Sequence, residues 1–243
     1  MNKIGKPINF LLKYNTIVIF VALLIMSSFA SDVFFSRRNI FNLLRQVAGI
    51  GAVSMGMLLV ILTAGIDLSV GSISAIASVL VAYLLTPDSV MPMPLSASII
   101  CTIMVGVLLG SSSGFLVANR RIAPFVATLA MMTIARGLAF IISKGRPILL
   151  TDAGQALKSF GSDYWLGIPQ PVFVMFLIFV IVFVLLRYTV FGRLVIAIGS
   201  NETAVRLSGI RVAIYKFSVY CISGGFAAVA GIISTARTGV GSA

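Results

Sequence analysis

The chain has 243 residues, 59% of them hydrophobic and 10% charged, with a mean hydropathy of +1.12 and a formal charge of +12. A soluble domain carries about a quarter charged residues, so this composition excludes one and places the chain among membrane proteins. The positive excess lies mostly between apolar segments, where it marks topology and lipid headgroups rather than a nucleic-acid partner. The sequence has no histidine, and Cys101 and Cys221 sit alone in apolar stretches. No metal site, disulfide framework or cofactor follows from such spacing.

Taken in chain order, runs long enough to cross a hydrocarbon core of about 30 Å begin with Tyr14 to Ser31, read as a retained first helix rather than a cleaved leader. The next is Val47 to Ala64. A third, Ile73 to Leu85, is short enough to need flanking residues from the segment before it. Leu95 to Ala118, Pro124 to Ile142, Pro171 to Tyr188 and Ile214 to Ala236 follow, with Pro124 at a first helical position where its missing N–H costs nothing. The expected architecture is all-α, a polytopic bundle of about seven spans forming one transmembrane domain over residues 1–243. Lys3, Lys6, Lys13, Arg120, Arg121, Arg187, Arg193, Arg206, Arg211 and Lys216 fall on one side of this arrangement and Arg37, Arg38, Arg45, Lys144, Arg146, Lys158 and Arg237 on the other, and the modest excess on the first side places the N-terminus in the cytoplasm.

The apolar sequence between Leu58 and Leu80 is interrupted once, at Thr63-Ala64-Gly65-Ile66-Asp67-Leu68-Ser69-Val70-Gly71-Ser72. Irregular backbone at membrane depth is costly and is tied to turns or transport paths. Gly65, Asp67, Ser69 and Gly71 are therefore candidates for translocation or gating. The competing reading is local: Gly65 ends the second span, and Asp67 N-caps the third from a tight turn. Arg136, about 18 Å along the helix opened by Pro124, has two readings as well. An intramembrane cation is a pathway candidate that faces the interior, a cavity or a carboxylate; alternatively it snorkels outward or caps backbone carbonyls.

Two loops are long enough to carry structure. Ser143 to Pro169 holds Tyr164-Trp165, a pair suited to a membrane interface on the outer side. Residues 189–213 lie inside and contain a short surface helix: Ser200 can cap it, Asn201 and Glu202 fill its first turn, Glu202 pairs with Arg206 four residues on, and Gly209 ends it. Its apolar residues Ala204, Val205, Leu207 and Ile210 need a cover, either this protein or lipid, or else a cytoplasmic partner. Gly106, Gly110 and Gly114 on the fourth span, with Gly224, Ala228 and Gly231 on the seventh, form small-residue faces that permit close helix approach.

The stretch Gly192-Arg193, Ala197-Ile198-Gly199, Asn201-Glu202, Ala204 and Arg206 through Ile210 resembles the cytoplasmic loop of permease subunits of ribose-type bacterial ABC sugar importers. Thr63 through Ser72 resembles that family's hallmark. Ala123 through Leu129 with Arg136-Gly137 and Gly145-Arg146-Pro147-Ile148, and Ser223-Gly224 through Ala230-Gly231-Ile232, are similar to further blocks of it. The blocks occur in the family's order from about Asn39 to Arg237. Family members continue through more hydrophobic helices beyond the point where this chain ends at Gly239 to Ala243, so it reads as a C-terminally incomplete permease.

The resemblance implies a multi-pass protein of the bacterial inner membrane that performs no covalent chemistry. It moves a simple, ribose-like sugar, or autoinducer-2-like or other small polyhydroxylated cargo. Its implied partners are a cytoplasmic ATP-binding subunit, a periplasmic sugar-binding protein and a second permease subunit, identical or paralogous. Ser200, Asn201, Glu202, Ala204, Arg206, Leu207 and Gly209 would form the segment that couples to the ATPase. The chain lacks a Gly-x-x-x-x-Gly-Lys-Ser/Thr loop, which agrees with ATP binding elsewhere. An ion-coupled secondary transporter is the rival reading, but it calls for coupling carboxylates within the spans, and only Asp67 is near one.

Overall fold

The computed structural model describes residues 14–87 and 89–243; the basic residues Lys3, Lys6 and Lys13 lie outside them. The chain divides into two compact units between Leu43 and Leu44. In the first, helix α1 (Asn15–Ala30) is followed by a turn in which the Asn39 side-chain amide donates to the Phe34 carbonyl at 2.7 Å. The Ser36 hydroxyl oxygen accepts from the Asn39 N–H at 3.3 Å, capping the start of α2 (Arg37–Leu62).

The remaining elements are α3 (Val70–Leu85), α4 (Leu95–Ala118), α5 (Pro124–Ser143), β1 (Ile148–Leu149), a 3₁₀ turn at Asp152–Gly154, α6 (Gln155–Ser162), β2 (Tyr164–Trp165), β3 (Ile168–Pro169), α7 (Gln170–Tyr188), α8 (Val190–Leu207), α9 (Val212–Thr238) and β4 (Val240–Gly241). Helices α2, α4, α5, α7 and α9 are long and apolar enough to cross a membrane, and α1 and α3 are shorter apolar helices. Each of the seven expected spans therefore has its helix. The second starts ten residues earlier than hydropathy indicated, because hydropathy marks where a helix meets hydrocarbon, whereas the Ser36 cap sets where it begins. Helix α3, at 16 residues, is about 24 Å long, and residues 65–69 before it are neither helix nor strand.

The loop between α5 and α7 carries regular structure. Leu166 and Gly167 both have positive φ, the conformation of the two-residue hairpin turn, and they pair Tyr164 with Pro169 and Trp165 with Ile168. Trp165 packs on Phe173 of α7 with ring centroids 4.9 Å apart. Strand β1 pairs with the C-terminal β4. These short ribbons are local additions to a helical bundle.

Helix α9 is the centre of the unit that begins at Leu44. Its neighbours approach at backbone distance because the facing residues lack side chains. A methyl group at Gly106 would lie 2.5 Å from the Ala228 Cβ, and one at Gly110 would collide with the carbonyl oxygen of Tyr220. One at Gly224 would lie 2.9 Å from the Cα of Gly110. Gly106, Gly110 and Gly114 with Gly224 and Ala228 thus form an internal α4–α9 seam, whereas Gly231 faces α3, where its Cβ would meet Ala77 at 2.8 Å. On the other side of α9, the Thr235 hydroxyl lies 2.8 Å from the Ser78 hydroxyl of α3. In a bilayer, such close packing and interhelical hydrogen bonds replace the hydrophobic drive that lipid tails cannot supply.

Gly110→Ala should lower the unfolding free energy of the detergent-purified protein by roughly 1–3 kcal/mol through overpacking. Gly137→Ala on α5, where the added carbon meets nothing within 4 Å, should be neutral or stabilising by up to about 1 kcal/mol. Indistinguishable thermal midpoints for the two variants would remove the seam as the explanation.

Candidate functional site

At the end of α2 the helix closes with the Thr63 N–H on the Val60 carbonyl at 3.0 Å and the Ala64 N–H on the Ile61 carbonyl at 2.9 Å. Ala64, not Gly65, adopts the left-handed conformation, with φ 57°. The glycine at 65 has a different role: a Cβ there would lie 2.8 Å from the Tyr220 hydroxyl and 3.1 Å from the Val60 side chain. Gly65 thus admits Tyr220 of α9, whose hydroxyl donates to the Ile66 carbonyl at 3.3 Å.

Asp67 follows and is 1% exposed. Its Oδ1 accepts from the Ser69 N–H at 3.0 Å and from the Ser69 hydroxyl at 2.5 Å, and its Oδ2 accepts from the Ser223 hydroxyl of α9 at 3.0 Å. The expectation that Asp67 itself caps the third span is corrected: Ser69 occupies the cap position, and no side-chain bond caps the helix. Asp67 instead closes an Asx turn onto Ser69 and ties that turn to α9. Among the described residues no cation pairs with it; neutral donors and the start of α3 hold the charge.

Gly71 lies in the first turn of α3, and a Cβ there would meet nothing within 4 Å. Arg136 stands apart from this cluster. It is exposed on α5, and among the described residues no carboxylate or carbonyl accepts from it. Its neighbours one residue and three residues away, Ala135 and Ala139, are the ones that pack against Ile73, Ile76 and Val79 of α3.

Helix α8 is continuous by hydrogen bonding but breaks at Asn201, where φ is −156° and ψ 88°. Asn201, not Ser200, caps the short helix that follows: its Oδ1 accepts from the Ala204 N–H at 3.0 Å. Ser200 ends the preceding segment and is exposed. Glu202 pairs with Arg206 as expected, and also with Lys216 of α9 at 2.5 Å. Gly209 has φ 81°, and its N–H bonds the Arg206 carbonyl at 3.1 Å, completing the glycine stop. Of the four apolar residues expected to need a cover, Val205 is buried with Ile198 and Val212, and Ile210 packs against them. Ala204 is exposed, and Leu207 is 84% exposed.

Sequence reasoning missed Ser223, Tyr220 and Lys216 as partners. All three lie on α9, far along the chain from the groups they hold, and no local spacing relates them. The bond from Lys216, with further help from Arg206, holds the Glu202 carboxyl below its ordinary range, against a smaller opposing effect of burial.

A bundle of apolar spans with one buried polar pivot, and with a capped helix displayed at one end, defines a polytopic membrane permease. The family described as "Branched-chain amino acid transport system / permease component" matches residues 39–243, and the chain belongs to it. The ribose import permease of Haemophilus influenzae is 37% identical over 230 residues, covering 94% of this chain and 70% of that protein. That of Bacillus subtilis is 45% identical over 215 residues, 88% of this chain and 66% of the relative. An L-arabinose ABC transporter permease of Azospirillum brasilense is 34% identical over 229 residues, covering 93% and 65%. The chain thus spans about two thirds of the length of these curated relatives. No solved structure matches it. It is a multi-pass permease of the ABC importer type, a protein of the bacterial inner membrane.

Two expectations follow. Asp67→Ala leaves the Ser69 and Ser223 donors buried and unpaired, and should destabilise the protein by about 1–3 kcal/mol per donor; combined with Ser223→Ala, thermal unfolding should show a cost smaller than the sum. Because the carboxyl of Glu202 is depressed from 4.5, its contribution is present above the unfolded value and is lost as pH falls through the folded one. Between pH 5 and 8 the short helix should therefore stay attached. Hydrogen exchange at residues 202–207 should be flat across that window after correction for intrinsic rates, and faster in Glu202→Gln.

Proposed function

We propose that this chain is the membrane-spanning subunit through which a ribose-like sugar crosses, by alternating access driven by ATP hydrolysis on a partner chain. What supports the sugar is the cargo in the names of its relatives, which include ribose, L-arabinose, fructose and xylose permeases. The amino-acid cargo in the family description has no counterpart among those relatives. A periplasmic sugar-binding protein and a second permease subunit complete the proposed assembly, with residues 14–243 contributing to a single transmembrane domain.

In this reading residues 189–213 form the cytoplasmic coupling loop, and the helix capped by Asn201 docks on the ATPase. The observation that carries the reading is the Glu202–Lys216 bond. It fixes an exposed helix to the cytoplasmic end of α9, the same helix that presents Tyr220 and Ser223 to the Ile66–Asp67 segment. Lys216 and Ser223 are seven residues apart, about 10 Å along the axis. A displacement of the docked helix would therefore act on α9 close to the Asp67 turn, and such a turn could serve as a gate. Arg136 has no place in this line of contacts; its role would lie on the outer face of α5.

The reading is tested with Glu202→Lys combined with Gly209→Pro in the assembled importer. The first change places a cation against Lys216, and the second cannot adopt φ 81°. Membrane insertion should be retained, while co-purification of the ATPase subunit and uptake of radiolabelled ribose fall to background. Unchanged co-purification would sink the coupling assignment. Uptake of arabinose or fructose in preference to ribose would redirect the cargo without touching it.

A further inference from the structure

The described residues enclose a cleft of about 700 Å³ between the α4–α5 loop, the start of α9 and the helix that carries Glu202. Four cations line it, Arg121, Arg206, Arg211 and Lys216, against one carboxylate, Glu202. Glu202 engages Arg206 and Lys216. Arg121 and Arg211 are exposed, and among the described residues neither guanidinium has a hydrogen bond or ion pair. Two cationic side chains therefore stand uncompensated on one cleft.

Arg121 is also held in the left-handed region, with φ 54°, a conformation that costs a non-glycine residue about 1 kcal/mol. Glycine would fit this turn better, so the arginine is retained at an energetic disadvantage, a pattern that accompanies ligand sites. Helix α5 begins at the cleft with Ala123 at its N-cap and α9 with Arg211, and neither has a side-chain cap bond. The positive dipole ends of these two helices add to the positive field.

The apolar part of the lining locates the ligand. Val117 and Ala118 come from the last turn of α4, and Val212 and Ile214 from the first turn of α9. Ile122 and Ile214, both lining the cleft, are exposed, Ile214 to 54%. The site thus sits where membrane-spanning helices emerge on the side that the charge bias makes cytoplasmic, with apolar side chains turned outward beside the cations. A soluble acidic segment would meet the cations but leave the isoleucines unused.

We propose that this cleft binds the phosphate headgroup of an anionic phospholipid from the adjoining leaflet, with Arg121 and Arg211 as its principal contacts. The lipid phosphate accepts from the two guanidinium groups, and its glycerol and upper acyl carbons cover Ile122 and Ile214. Basic clefts between membrane helices on the cytoplasmic side suit such headgroups, and each basic residue there contributes about fivefold in affinity. The proposal does not depend on the cargo; its cleft shares Glu202, Arg206 and Lys216 with the proposed coupling element, and the test separates the two roles.

The test is native mass spectrometry of the full-length, detergent-purified protein, titrated with dioleoyl phosphatidylglycerol and, separately, with dioleoyl phosphatidylethanolamine. Phosphatidylglycerol should bind preferentially, in a salt-sensitive manner. Arg121→Gly with Arg211→Gln should weaken it on the order of 30-fold. Arg120→Gln should bind as the wild type does, since that guanidinium lies over the Phe115 ring at 5.6 Å and does not line the cleft. Arg121→Gly alone should unfold no earlier than the wild type, because it relieves the left-handed strain, so loss of lipid would not reflect loss of fold.

Equal binding of the two lipids by the wild type would overturn the proposal. So would undiminished phosphatidylglycerol binding by the double variant. Complete displacement of the lipid by inorganic phosphate would assign the cleft to a free anion instead. Loss of ATPase co-purification in the double variant, with lipid binding unchanged, would assign it to the partner protein.

Discussion

The close approach of α9 to α4 and α3 is the constraint on which the rest of this protein depends. Lipid tails solvate apolar side chains as well as other side chains do, so helices in a bilayer associate through shape and hydrogen bonds. Here shape is supplied by residues that have none to obstruct it: Gly106, Gly110 and Gly224 bring two backbones together. Once α9 is seated, Ser223 reaches Asp67, Tyr220 reaches Ile66 and Thr235 reaches Ser78. Each of these bonds crosses a sequence separation of more than 150 residues, and each would be lost with a displacement of α9 by little more than an ångström.

Asp67 shows how a buried carboxylate can persist without a countercharge. Its two oxygens collect one backbone N–H and two hydroxyls. A carboxylate bonded in this way is costly to disturb, since any motion of α9 relative to the Ile66–Ser69 segment strips a donor from a group that water does not replace. Near its start the same helix carries Lys216, which forms an ion pair with Glu202 of the short helix that follows Asn201. One rigid rod thus carries both the polar pivot inside the bundle and the attachment point outside it.

The family and the bundle were legible before any coordinates, because hydropathy, glycine punctuation and ordered sequence blocks are local properties. The candidate site was legible only in part. Gly65 was marked as a residue the turn needs, but for its backbone freedom, whereas Ala64 takes the left-handed conformation and Gly65 makes room for Tyr220. The short helix before Gly209 is legible in the sequence to within a residue, and its cap is Asn201 rather than Ser200 because the preceding segment is itself helical as far as Ser200. Arg136 was singled out by its depth in a span, a measure that says nothing of which way the helix face turns.

The amino-acid sequence by itself determined that this is a membrane protein, where its spans lie, which stretch interrupts them and which family it belongs to. Periodicity, span length, capping residues and motif order are all written along the chain, and short-range sterics and hydrogen bonding enforce them. Only the tertiary structure decided that the glycine faces meet inside one subunit, that Ser223 and Tyr220 hold the interruption, that Glu202 answers to Lys216, and that Arg121 and Arg211 share a cleft. Those pairings arise when α9 is packed, and their energy depends on distances between residues that the order of the sequence does not specify.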